Sequence, residues 1–238
     1  MKIFIINLET EINRRNSMIF QMDSINSDKN EFIFFNAINS QKIGIFFNKI
    51  NPFFSKLIRG KSLTDGEIAC FASHYSLWQK CLELKEDIVI LEDDVALLPD
   101  FENGLDVIKK SPYNYTKLMC LFDKKSKKIN GNFYITRNGV SGAQGYYLTP
   151  FAARQFIEKS RAWLYPVDDY LDSFWIHKIP TIFYFPYLIK ENENSLNSTI
   201  KNRKSSINIV FKISREISRF ILNIRKLFTR NISEKNII

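Results

Sequence analysis

Asp87-Ile88-Val89-Ile90-Leu91-Glu92-Asp93-Asp94 joins an unbroken aliphatic run to three consecutive carboxylates. Such a run suits a strand covered on both faces, as in the middle of a parallel sheet flanked by helices. Open α/β sheets place their ligands in the crevice beyond the C-terminal strand ends, which is where these acids fall. Ionised carboxylates this close repel one another, and a cation or a shared proton offsets the repulsion. Hard divalent cations with oxygen ligands, Mn²⁺ or Mg²⁺, are the natural partners, and they keep positions open for substrate phosphates. In an extended chain Glu92 and Asp94 point to one side and Asp93 to the other, so Glu92 and Asp94 are the first candidates for metal ligation. The plainer alternative is a solvated acidic turn.

Upstream, Thr64-Asp65-Gly66-Glu67 is a capping box that opens a helix running to about Lys85. Ile68, Phe71, Ala72, Tyr75, Trp78, Cys81 and Leu82 give it a broad apolar face. His74 and Trp78 are neighbours on that helix, and His74 reads as either a site residue or a hydrogen-bonded core histidine. Lys2 to Leu8 predicts a first strand, with a helix from the polar stretch after Glu9 through Met22. Arg14 and Arg15 there are either guanidinium forks for a diphosphate or exposed helix arginines. Glu31 to Ala37 predicts a second strand, and the stretch to Gly60 reads as a variable loop with at most a short helix.

Downstream, Phe101 to Lys110 predicts a helix and Lys117 to Phe122 a strand. The lysine-rich run Asp123 to Asn130 reads as a solvated turn, and Phe133 to Thr136 as a strand. The glycines of Asn138 to Gly145, ahead of Tyr146-Tyr147-Leu148, permit close backbone approach to a ligand or form a plain hairpin turn. Thr149-Pro150 is a helix start. Asp168, Asp169 and Asp172 form a second acidic cluster, able to supply a general base or to favour a helix N-terminus. Ile179 to Pro186 predicts a late strand, and Glu191 to Thr199 a polar loop.

Charge divides the chain. Residues 201–238 carry ten Lys or Arg against two Glu, so +8 of the net +9 lies there and the first 200 residues carry +1. Three widely spaced cysteines without a CxxC argue against a disulfide framework and a zinc site, and favour reduced core thiols in a cytoplasmic protein. The opening apolar run is too short for a signal peptide, and no stretch reaches transmembrane length.

The order of these motifs resembles glycosyltransferase family 25, the bacterial lipooligosaccharide galactosyltransferases and their relatives. The residues that carry the resemblance are Ile5-Ile6-Asn7-Leu8 with Arg14-Arg15, Phe35-Asn36-Ala37-Ile38, and Leu63-Thr64-Asp65-Gly66-Glu67-Ile68-Ala69-Cys70 followed by Ser73-His74 and Trp78. Ile90-Leu91-Glu92-Asp93-Asp94-Val95, Ser141-Gly142-Ala143 with Tyr146-Tyr147, and Pro166-Val167-Asp168-Asp169-Tyr170-Leu171 complete it. Ala69 stands where the family commonly has glycine.

The resemblance implies a GT-A fold: a single Rossmann-like α/β domain over residues 1–200 with a mostly parallel central sheet, using a nucleotide sugar and Mn²⁺ or Mg²⁺. It implies that Glu92, Asp93 and Asp94 grip metal and donor, with Asn7, Leu8, Arg14 and Ala37 beside the nucleotide and Glu67 and His74 near the donor site. Gly142, Tyr146 and Tyr147 would face sugar and acceptor, with Asp168, then Asp169, as the base. The implied reaction is inverting transfer of a hexose, galactose from UDP-galactose first, onto a lipid-linked lipooligosaccharide acceptor. UDP-glucose or a UDP-N-acetylhexosamine as donor, or a catalytically silent sugar-nucleotide binding protein, are the alternatives.

Beside the resemblance, residues 201–238 predict a basic amphipathic helical tail. Val210, Ile213, Ile217, Phe220, Ile221, Ile224 and Phe228 recur at helical spacing, a pattern suited to an anionic inner-leaflet surface and a peripheral cytoplasmic location. Core packing or self-association of that face is the competing reading. Nucleic-acid binding is disfavoured because the body carries no basic stripe.

Overall fold

The computed structural model describes residues 1–25, 29–122, 124–192 and 209–228. At its centre β1 (Lys2–Asn7) pairs in parallel with β2 (Glu31–Asn36) on one side and β3 (Ile88–Glu92) on the other. The sheet continues through β8 (Gly145–Leu148), β5 (Tyr115–Lys117), β9 (Thr181–Tyr184), β7 (Phe133–Thr136) and β6 (Ser126–Asn130). Following the pairings, all strands of this sheet run one way except β7 and β8. The chain leaves β1 for one edge and returns to its other flank as β3, so a topological switch point lies between the C-terminal ends of β1 and β3.

Alternation along β1 and β3 explains their apolar runs. Phe4, Ile6, Ile88 and Ile90 pack towards α3 (Asp65–Leu84), with α5 (Pro150–Lys159) on the same face. Ile3, Ile5, Val89 and Leu91 pack on the opposite face against Met18 of α1 (Ile12–Ile25) and Phe101, Leu105 and Ile108 of α4 (Phe101–Lys109). Burial of each such side chain contributes about 1.5 to 3 kcal/mol, so both layers are needed to fix the strand ends. The capping box at Thr64 is formed: its hydroxyl accepts from the Glu67 N–H at 3.2 Å and the Glu67 carboxylate accepts from the Thr64 N–H at 2.7 Å.

Three expectations need correction. The run read as a loop before Gly60 contains a 3₁₀ helix (Ile43–Lys49) and α2 (Pro52–Arg59), the latter capped by the Asn51 side chain and ended by Gly60 at φ 80°. Phe46 stacks on Trp163 at 5.2 Å, a contact far away in sequence that no local period reveals. The strand expected over Lys117 to Phe122 is instead Tyr115–Lys117. After Lys117 the chain leaves the ladder, with the Leu118 N–H on the Gly145 carbonyl and its own carbonyl accepting from Leu188. The lysine-rich run holds β6 rather than a turn, because it is the exposed sheet edge, where lysines discourage further strand pairing.

Beyond the sheet, β4 (Val95–Leu97) pairs antiparallel with β10 (Ile189–Glu191), and the Asn192 N–H donates to the Asp94 carbonyl at 2.8 Å. Short helices α6 (Val167–Leu171) and α7 (Phe174–His177) precede β9. The helix expected in the tail is α8 (Ile209–Phe228), which lies against α2, where the Ser214 and Ser218 hydroxyls donate to the Leu57 carbonyl. Its Ile213, Ile217, Phe220, Ile221 and Ile224 are exposed. The polar loop expected from Glu191 falls mostly outside the described residues. Among those described, no helix is long and apolar enough to cross a membrane.

Candidate active site

Backbone alternation carries Glu92 to the α3 side of the sheet, the side of Ile88 and Ile90. The chain then turns at Asp93 and Asp94 instead of staying extended. All three acids therefore border one cleft of about 300 Å³, rather than splitting between two faces. Leu8 and Ala37 line the same cleft from the β1 and β2 ends, Arg14 from α1, and Gly66 and Cys70 from α3.

Asp93 is the most occupied of the three. The Asn7 amide donates to it at 2.6 Å and Arg14 at 3.2 Å, while Arg14 also lies 3.9 Å from Asp94. Burial raises the Asp93 carboxyl above its usual range despite these partners. Asp94 is pushed up to about 7, first by burial and then by the Glu92 carboxylate. The acids thus repel one another more than Arg14 relieves, and the pair left facing the cleft, Glu92 and Asp94, is an all-oxygen donor set. That set fits a hard divalent cation.

Behind Glu92 stands a polar chain inside the core. The buried Trp78 indole N–H donates to the Tyr146 hydroxyl at 2.9 Å, Tyr146 meets His74 Nδ1 at 2.8 Å, and His74 Nε2 meets Glu92 Oε1 at 3.1 Å. With the tyrosine proton directed at Nδ1, the imidazole proton sits on Nε2 and is donated to Glu92, so every group in the chain is satisfied. His74 is therefore a hydrogen-bonded core histidine, and its Nε2 reaches Glu92.

Tyr146 and Tyr147 do not border the cleft. Opposite Ile90 and Val89 in the β3–β8 register, they alternate to the two buried faces. Tyr147 donates to Asp87 at 2.6 Å, at the far end of β3. Acceptor contact by either is thus corrected to a core role. Glu67 also lies off the cleft lining, held by its cap and by Arg59 at 3.0 Å.

The second acidic cluster lies off the cleft lining but within electrostatic reach of the first. The Glu92 carboxylate is among the groups that raise Asp168, and the Cys70 thiol is raised by both acids. Burial lifts Asp168 above the normal carboxyl range, and burial with Asp168 beside it pushes Asp169 up to about 6. Asp172, by contrast, is spent on structure: it pairs with buried Lys117 at 2.9 Å and accepts from the Ser141 N–H at 2.7 Å. Lys117 in turn donates to the Ser141 and Gly142 carbonyls at 2.9 and 3.0 Å, holding a turn in which both residues have positive φ, 53° and 82°. A glycine at 142 meets that requirement at no steric cost.

Sequence reasoning missed Cys70 and Lys117, and it placed Asp172 in the acidic cluster without showing its pairing to Lys117. For Cys70 a signal existed, since it stands four residues before His74 on one helix face. For Lys117 none did, because a lysine beside a hydrophobic run reads as a strand terminus.

A family model described as "Glycosyltransferase family 25 (LPS biosynthesis protein)" matches residues 1–171. Among curated proteins, the chain is 39% identical over 169 residues to the "Lipooligosaccharide biosynthesis protein lic2B" of Haemophilus influenzae, covering 64% of this chain and 60% of that protein. It is 28% identical over 187 residues to a "Glycosyltransferase 25 family member" of Anopheles gambiae, covering 71% and 31%. It is 30% identical over 107 residues to human "Procollagen galactosyltransferase 2", covering 44% and 17%. The chain therefore spans about a third of the insect relative it matches.

Proposed function

Because this chain belongs to glycosyltransferase family 25, we propose that it transfers a hexose from a UDP-sugar, galactose from UDP-galactose, in β linkage onto the outer-core sugar of a lipid-linked lipooligosaccharide. The observation that carries this reading is the convergence of Glu92, Asp93 and Asp94 with Arg14 on one cleft at the β1–β3 switch point, with Asp168 near enough for the Glu92 charge to raise its carboxyl. The names of two relatives support the acceptor and the sugar: a lipooligosaccharide biosynthesis protein and a galactosyltransferase.

In this reading Leu8 and Ala37 flank the nucleotide, while Arg14, fixed by Asp93, faces the diphosphate. Glu92 and Asp94 would hold Mn²⁺ or Mg²⁺, which when bound supplies positive charge against the departing diphosphate. Asp168 takes the proton from the attacking hydroxyl; its raised carboxyl is a stronger base than a solvated one. Attack opposite the leaving group forms the new glycosidic bond as the sugar–phosphate bond breaks, which inverts the anomeric centre. Asp169 is the reserve for that proton, and Gly142 keeps the 139–145 turn against the acceptor side. The exposed apolar stripe of α8 rests on the anionic inner leaflet, which brings the cleft to a lipid-anchored acceptor.

The test is UDP release from a panel of nucleotide sugars, with Mn²⁺ or EDTA and with or without truncated lipooligosaccharide. Turnover of UDP-galactose that needs metal, rises with acceptor and disappears in Asp94→Ala supports the reading. Turnover of UDP-glucose or a UDP-N-acetylhexosamine alone replaces the donor, and calorimetric donor binding without turnover replaces the enzyme with a binding protein.

A further inference from the structure

Cys70 and His74 lie one turn apart on α3, and Glu92 reaches the same point from the end of β3. Among the described residues this is a thiol, imidazole and carboxylate cluster whose ligand atoms all lie within 4.8 Å of one another. His74 Nε2 is 3.1 Å and Cys70 Sγ 3.8 Å from the same oxygen, Glu92 Oε1. A tetrahedral ion with bonds of about 2.3 Å to sulfur and about 2.0 Å to nitrogen and oxygen spaces its ligands roughly 3.3 to 3.5 Å apart. The carboxylate oxygen already sits within a few tenths of an ångström of both spacings.

We propose that Cys70, His74 and Glu92 bind a thiophilic divalent ion of the zinc and cobalt class, at a site distinct from the oxygen-lined Asp94 side of the cleft. Sulfur and imidazole ligands favour such ions, whereas Mn²⁺ and Mg²⁺ favour oxygen alone. The outer partner that a ligating histidine needs is present: the Tyr146 hydroxyl, itself held by Trp78, faces Nδ1 and orients the ring. Coordination through Nε2 releases the thiol proton to solvent and moves the imidazole proton from Nε2 to Nδ1, where the Tyr146 oxygen accepts it. Cys70 borders the cleft, which gives the ion an entry and an open fourth position. Glu92 belongs to both sides, so an ion held here draws a carboxylate away from the donor. That inhibitory consequence, unlike the site itself, rests on the transferase reading.

Titration of the reduced, metal-free full chain with Co²⁺ tests the site by absorption, without donor or acceptor. The expected result is a saturable thiolate-to-cobalt charge-transfer band with tetrahedral ligand-field bands, displaced by Zn²⁺ and retained in Asp94→Ala. In Cys70→Ser, and in Cys70→Ala as a second variant, affinity falls by at least about tenfold and the thiolate band is lost. No thiolate band in the wild type, or a band that survives both Cys70 variants, overturns the proposal. Because the readout is spectroscopic, a chain that binds cobalt yet turns over no donor refutes the transferase reading alone, and the reverse result refutes this site alone.

Discussion

Along the β1–β3 side of the cleft, side chains hold side chains: Asn7 and Arg14 fix Asp93, and Trp78, Tyr146 and His74 fix Glu92. Along the β8–β5 side, side chains hold backbone: Lys117 and Asp172 together clamp the Ser141–Gly142 turn. The first arrangement orients charge, and the second shapes a loop. Damage to the first should therefore appear in catalysis and damage to the second in stability.

Lys117→Met breaks that division most severely. It leaves Asp172 charged and buried without its cation, with an expected loss of about 3 to 5 kcal/mol in urea unfolding. Lys117→Met with Asp172→Leu should recover a large part of that loss. On the other side, Asp94→Ala should lower transfer by about a thousandfold, about 4 kcal/mol in the barrier. Its thermal midpoint should hold or rise at pH 8, because the carboxyl removed is one that burial and Glu92 disfavour when ionised. A fall in stability with intact turnover would end the distinction.

Tyr146→Phe tests whether the polar chain behind Glu92 belongs to both classes. Loss of the hydroxyl leaves the Trp78 N–H and His74 Nδ1 without a partner, so unfolding should ease by about 2 kcal/mol. The effect that is smallest per pH unit concerns His177, which donates to the Tyr170 carbonyl and accepts from the Ile179 N–H in the core below α6. Burial lowers its pKa to about 3. The unfolded chain therefore binds the extra proton between about pH 6.5 and 3, so this stability is complete above that window and lost as pH falls through it. The slope is at most about 1.4 kcal/mol per pH unit. His177→Gln should flatten the wild-type slope between pH 6 and 4 in denaturant titrations, by difference from the opposing carboxyls.

The side-chain side of the cleft was legible because its elements carry strong local signals. The capping box at Thr64, the apolar run of β3 and the position of the acids after it all follow from spacing within one element. Even there, alternation misled where the chain turned, since Asp93 and Asp94 no longer obeyed a period of two. The backbone-holding side was obscure because its partners are far apart in sequence. Nothing near Lys117 announces Asp172, and nothing in Tyr146-Tyr147 shows that β8 is central in the sheet and hides both rings. The lysines of β6 concealed a strand because the property that suits an edge is also that of a solvated turn.

The position of β9 has a further consequence for how the chain is made. It lies between β5 and β7, yet it is among the last strands of the body to leave the ribosome. Until residues 181–184 emerge, β5 and β7 have no shared neighbour, while β1, β2 and β3 can already assemble. A nascent chain therefore holds the oxygen-lined end of its cleft long before the sheet closes behind it. Stop codons between Asp94 and β9 would give products that bear the acidic motif on an open, adhesive sheet.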